Sequence, residues 1–194
     1  MAGDVANPRL WEGADLWTAP VGTALPTDLA TPMGSTWSAV GLLSEDGASE
    51  SRDEDTSDFY AWGGKLIRTQ RSKHKRQIKV TALEDNLTVF GLVNPGSTVS
   101  TTAGVNTRTV KIPKSEKRAF VLELRDGDIT KRRSIPTGEV TEVGEVTLSE
   151  SDLQAFELTI TIYPDVNDVL YVDIDNDPQG AAPTFGEVRS VPGS

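Results

Sequence analysis

The chain has no cysteine and a single histidine, His74, among its 194 residues. The missing cysteines exclude disulfides and thiolate metal sites. One histidine and no cysteine together argue against a zinc centre. The same absence fits folding in a reducing cytoplasm. No apolar run approaches the ~20 residues that span a bilayer. The N-terminus shows no basic stretch followed by an apolar core, so no secretory leader is read. Gly-x-Ser-x-Gly, Gly-x-Gly-x-x-Gly and phosphate-loop patterns are all missing. Gly63-Gly64-Lys65 lacks phosphate-loop spacing, and its glycines read as a bend or a close backbone approach in a strand. Lys and Arg are absent from Ser134 to Val188.

Acid is plentiful. The net charge is −10, and it is distributed in blocks. Glu45, Asp46, Glu50, Asp53, Glu54, Asp55 and Asp58 fill one stretch, opposed only by Arg52. Directly after it, Lys65, Arg68, Arg71, Lys73, Lys75, Arg76 and Lys79 fill another. Adjacent blocks of opposite sign suit faces that meet in a second copy of the molecule. Two other readings stand beside that one: solvated faces, or blocks folded onto each other within one chain.

Hydrophobic periodicity gives a mainly β chain organised as one domain, 13–177, between an N-terminal arm, 1–12, and a C-terminal arm, 178–194. Asp15–Ala19 and Thr36–Leu43 read as strands, separated by a Pro/Gly-rich loop. The acidic segment 44–58 is too polar to enter a core and reads as a long excursion. Phe59–Gln70 and Arg76–Ala82 read as two arms of a hairpin with a basic turn, Arg71–Lys75. Leu83, Leu87 and Phe90 then fall on one helical face, with capping-box spacing at Thr81–Glu84 and a stop at Asn94-Pro95-Gly96. Phe120, Leu122 and Leu124 alternate into Asp126-Gly127, the strongest turn signal in the chain. Ile129–Ile135, Glu139–Leu148, Phe156–Ile162 and Val169–Ile174 complete the strands. The predicted fold class is mainly β, a β-sandwich or barrel with one short α-helix on its flank.

Candidate chemistry is thin. His74 sits among cations that disfavour its charged form, and a solvated turn residue is the simpler reading. Asp173, Asp175 and Asp177 have the alternation of a calcium loop, but Pro178 stands where glycine is needed and Thr184 where a bidentate Glu is expected. A looser calcium site at these three residues stays open. So does a pair of glycosidase carboxylates, although no pair can be named. The basic stretch Lys65–Lys79 has no aromatic to stack a base, and the whole chain is acidic, so specific nucleic-acid binding is not expected.

One ordered set of features carries more. It comprises Leu16-Trp17-Thr18-Ala19-Pro20, then Leu25-Pro26, then the Trp37 strand into Ser44-Glu45-Asp46-Gly47. Trp62-Gly63 before Ile67-Arg68-Thr69, Leu83-Glu84-Asp85-Asn86, and Tyr163-Pro164-Asp165 complete it. In this order the chain resembles the major tail protein, or tail tube protein, of long-tailed, non-contractile bacteriophages. The resemblance spans Trp17 to about Tyr171. It implies a structural virion protein of the tail, assembled in the host cytoplasm, that forms hexameric rings stacked head-to-tail into a conduit for DNA ejection. It implies a tape measure protein inside the tube, a tail terminator and distal tail or baseplate proteins at its ends, and genome DNA passing without specific binding. No enzyme activity and no cofactor are implied.

On that reading, subunit-interface candidates are Trp17, Glu45, Asp46, Asp53, Glu54, Asp55, Trp62, Lys65, Arg68, Arg71, Lys73 and Arg76. A calcium- or carbohydrate-binding β-sandwich module, a two-carboxylate hydrolase and another ring-forming tail protein such as a terminator are the alternatives.

Overall fold

The computed structural model describes residues 8–178. Expectations for 1–7 and 179–194, most of the two arms, lie outside those residues. The described residues hold ten strands and one helix. They are β1 (Gly13–Pro20), β2 (Ser38–Ala39), β3 (Leu43–Tyr60), β4 (Leu66–Ala82), α1 (Leu87–Val93), β5 (Thr98–Thr102), β6 (Val105–Thr109), β7 (Lys117–Asp126), β8 (Ile129–Val143), β9 (Phe156–Ile162) and β10 (Val172–Asp175).

Eight strands form one antiparallel sheet in the order β2-β1-β7-β8-β9-β4-β3, with β10 also on β8, while β5 and β6 pair separately. The sheet curls into a barrel because a short segment bonds both of its ends. Val40 N–H donates to Leu16 C=O of β1 at 2.8 Å, and Leu83 N–H donates to Leu42 C=O at 2.9 Å, beside the Leu43–Ala82 pair. Alternation then decides what faces inward. Leu16, Ile78, Val80, Phe120, Leu122, Ile135, Leu158 and Ile160 fill the core, and Val89 and Leu92 of α1 pack against them. The turn after β7 is as predicted. Asp126 pairs with Ile129, and Gly127 takes the left-handed conformation with φ 55°.

The other face of β1, β7 and β8 is covered by the 20–37 loop. Arg132, 4% exposed, is paired with Glu123 at 2.6 Å and donates to the carbonyls of Asp28, Leu29 and Thr31. A buried guanidinium needs this full set of acceptors, and the loop's carbonyls need its donors.

Several predicted elements lie elsewhere. Segment 44–58 is a strand, not an excursion, since β3 pairs with β4 from Leu43 to Tyr60. The basic residues Arg71–Lys75 are inside β4, and the hairpin turn is Ala61–Lys65, where Gly63 and Gly64 hold φ 94° and 81° with open space around them. Such a turn demands glycine for its conformation, not for close approach. Between Ser44 and Asp58 the first strand of the ribbon is polar on both faces, so it leaves no apolar period to read. Asp53 faces Lys75 directly across the ladder, and Glu50–Arg76, Glu54–His74 and Asp55–Lys73 pair off-register, while Arg52 faces Arg76. The pairing contains a bulge: Asp53 faces Lys75 and Asp55 faces Ser72, so Lys73 and His74 oppose Glu54 alone, with Lys73 at φ 54°.

The helix starts at Leu87, capped by Asn86, whose side chain accepts from Val89 N–H at 2.9 Å. Thr81 and Ala82 are still paired with Glu157 and Phe156, so the capping box does not form. Glu84 instead accepts from Leu42 N–H at 2.9 Å. The helix ends at Asn94, as predicted. Thr36–Leu43 contributes the two residues of β2 and the first residue of β3, the two segments from Ile129 to Val143 are one strand, and the last strand starts later and ends one residue beyond the prediction, at Val172–Asp175. The β5–β6 hairpin has no counterpart in the sequence reading.

Candidate assembly surfaces

The β3–β4 ribbon carries most of the predicted interface residues. Its base rests on β9 through Arg76–Ala82, with Ile78 and Val80 each 2% exposed. Among the described residues no strand flanks it beyond Arg76, and its side chains face solvent on both faces.

Part of the charge complementarity is satisfied within the chain. Glu54 accepts from Arg52 at 2.7 Å and lies 2.7 Å from His74 Nδ1. The hydrogen bonds from Arg52 and then His74 pull its carboxyl down to about 2. Lys73 pairs with Asp55 at 2.7 Å, and Asp53 stands across the ladder from Lys75. Asp46 accepts from Ser44 Oγ at 2.9 Å, and Glu45 is exposed beside it. Among the described residues, Lys65, Arg68 and Arg71 make no ion pair. Trp62, at the turn, is fully exposed at 106%, and Phe59, Tyr60, Leu66 and Ile67 around it are about half exposed or more, from 49% to 67%. Trp17 is apart from this group, in β1, where it pairs with Ala39 and Val121.

Arg76 belongs to a cluster that the sequence reading missed. Glu50 of β3 receives Arg76 at 3.0 Å, Tyr171 Oη at 3.3 Å, and Arg133 of β8. Arg76 donates to Tyr171 Oη at 2.7 Å, and the Arg133 guanidinium lies over the Tyr171 ring at 3.9 Å. Asp173 completes it, 2.7 Å from Arg133 and 2.9 Å from Lys131. Burial works to lower the Arg133 pKa, but the hydrogen bond and charge of Asp173 and the hydrogen bond to Glu50 raise it above its ordinary value. For Asp173, burial pushes upward and the two cations pull it below its ordinary value. This cluster ties the ribbon's base to β8 and β10.

The same contacts bear on the calcium motif. Asp173 is held by Arg133 and Lys131, Asp177 is 2.7 Å from Arg9, and Asp175 accepts from Asp177 N–H at 3.2 Å. Among the described residues no group of three or more His, Asp or Glu is placed to hold a metal ion.

A barrel-like antiparallel sheet, one flanking helix and an overlong ribbon with exposed aromatics define a small β subunit with surface left for protein contacts. Residues 12–185 match the profile of the phage tail tube protein family, and the chain belongs to that family. Its role is therefore structural, in the tail tube of a virion, by self-assembly into a tube. Among solved structures, the chain overlays a chain of an extracellular contractile injection system, the PVC sheath–tube complex in its extended state. That overlay has a TM-score of 0.49 at 10% identity, covering 88% of this chain and 93% of the other. A search of curated proteins returned no match.

Proposed function

We propose that the protein forms hexameric rings that stack head-to-tail into the tube of a long, non-contractile phage tail, through which the genome leaves. Family membership supports this reading, and the unflanked β3–β4 ribbon carries it in residue terms. A two-stranded ribbon alone is marginal in water, and this one leaves Trp62, Tyr60 and Ile67 exposed at its tip. Packing against neighbouring copies removes both problems. Head-to-tail contacts are heterologous, so they extend without closing and produce a filament.

A net charge of −10 makes the chain repel phosphate overall, which suits a conduit that DNA crosses without sticking. A tape measure protein inside, a terminator and distal tail proteins at the ends, and assembly in the host cytoplasm belong to the same proposal. It includes no catalytic role. Negative-stain electron microscopy of the purified protein at rising concentration and salt tests it. Hollow tubes or six-fold rings are expected. A monodisperse monomer at all concentrations, even with added tail initiator complex, would overturn it.

A further inference from the structure

We propose that the tip of the ribbon in one copy docks on the opposite end of the next copy, in the cleft between the end of α1 and β8. The proposal rests on the tube reading and names the two surfaces that meet.

The chain path sets them at opposite ends. β4 starts at the tip with Leu66, runs 17 residues to Ala82 and then leads into α1. At ~3.3 Å per residue the strand spans roughly 50 Å. β8 reaches the α1 end with Val143, which pairs with Leu158, itself the partner of Val80. There a cleft of about 420 Å³ is lined by Leu92, Val93, Pro95, Pro113, Val140 and Val143 among others. Lys114 is its only cation and Glu139 its only anion. Val143 at its edge is 37% exposed, and Ile112 beside Pro113 is 89% exposed.

Charge makes the two ends complementary. The tip presents Lys65, Arg68 and Arg71, none ion-paired among the described residues. The α1 end presents Glu142, Glu145, Glu150 and Asp152, all exposed, on a stretch without Lys or Arg from Ser134 to Val188, and they outnumber the exposed Lys111 and Lys114 beside the cleft. An aromatic side chain buries roughly 150–250 Å² when it docks, and Trp62 offers all of its surface. The aromatic tip seats in the apolar cleft, and cations and carboxylates around it set orientation and encounter rate. Like ends repel, so copies add with one polarity.

Charge swapping tests the contact. Lys65→Glu with Arg68→Glu makes the tip acidic, and Glu142→Lys with Glu145→Lys makes the far end basic. Each doubly substituted protein alone should lose polymerisation, because both of its ends then carry one sign. Mixed in equal amounts they should regain tubes, in alternation. Normal tubes from either alone, or no tubes from the mixture, would overturn the contact. The cysteine-free chain allows a second readout that leaves Trp62 in place. A protein carrying both Lys65→Cys and Val143→Cys, oxidised under assembly conditions, should give a ladder of multimers on a denaturing gel. Tubes without that ladder would sink the contact and leave the tube reading intact. Failure of the wild type itself to polymerise, even with added tail initiator complex, would remove the tube reading, and the contact with it.

Discussion

The two halves of the β3–β4 ribbon share one backbone ladder yet live under different rules. The base, up to Arg52 and Arg76, has β9 alongside, Ile78 and Val80 in the core, and Glu50 gripping Arg76, Arg133 and Tyr171. The distal half has the same main-chain bonds but no strand beside it and no buried side chain. Backbone pairing is therefore not what separates a fixed strand from an unsupported one. Burial of one face and a part-buried polar cluster shared with β8 and β10 make the difference, and among the described residues the distal half has neither.

That contrast can be broken from either side. The largest effect belongs to the core under the base. Phe120→Ala, at a wholly buried position, should cost about 3–5 kcal/mol in denaturant unfolding of the monomer. Next comes the grip on the base. Glu50→Ala leaves Arg76 and Arg133 without a shared acceptor and should cost about 1–3 kcal/mol. It should also speed amide hydrogen exchange in β3 more than in β7. Asn86→Ala, which removes the helix cap, should cost about 1 kcal/mol and lower the thermal midpoint accordingly.

Acid sharpens the comparison further. The Asp173 carboxyl is depressed in the folded state, so its stabilising effect is present above its ordinary value of 3.8 and is lost as pH falls through the folded value. Asp173→Asn should therefore flatten the fall of stability below about pH 4, measured by unfolding at successive pH values. The smallest effect is expected at the tip. Trp62→Ala should shift monomer stability by no more than about 0.5 kcal/mol, since the side chain touches nothing that folding buries. A large loss there would show that the distal half is supported within its own chain.

What the sequence reveals follows the same division. Where apolar residues recur along one face, a period of two is legible, as in Phe120–Leu124, which is buried on both faces, and Phe156–Ile162, and those strands lie where alternation places them. Of the residues that carry the resemblance, Trp62-Gly63 stands at the ribbon's turn, whereas Leu16–Pro20 lies within β1. The acidic strand is not legible, because Ser44–Ser57 alternates nothing apolar; its partner fixes it. The Thr81–Glu84 box misleads because strand pairing outlasts local helix signals. Of the interface candidates, Asp53, Glu54, Asp55 and Lys73 turn out to have partners on the ribbon itself. Arg132 with Glu123 went unread, although a signal existed. The Asp126-Gly127 turn fixes a register that sets the two residues opposite each other. Glu50, Tyr171 and Arg133 lie too far apart in sequence for any local signal.

The bulge at Lys73 and His74 has a further consequence. Ser72 and Lys75 are three residues apart yet share a side of the ribbon with Asp53 and Asp55. In an unbroken ladder an odd separation puts two side chains on opposite sides. The extra residue thus acts as a parity switch. The side chains from Arg68 to Ser72, Arg71 included, owe their direction to it, and a second register shift between Phe59 and Tyr60 resets the ladder at Leu66. Deleting His74 alone would preserve composition and charge almost unchanged while exchanging the ribbon's two faces. The face on which Arg68 and Arg71 stand is thereby set by the count of residues in the strand, not by their chemistry.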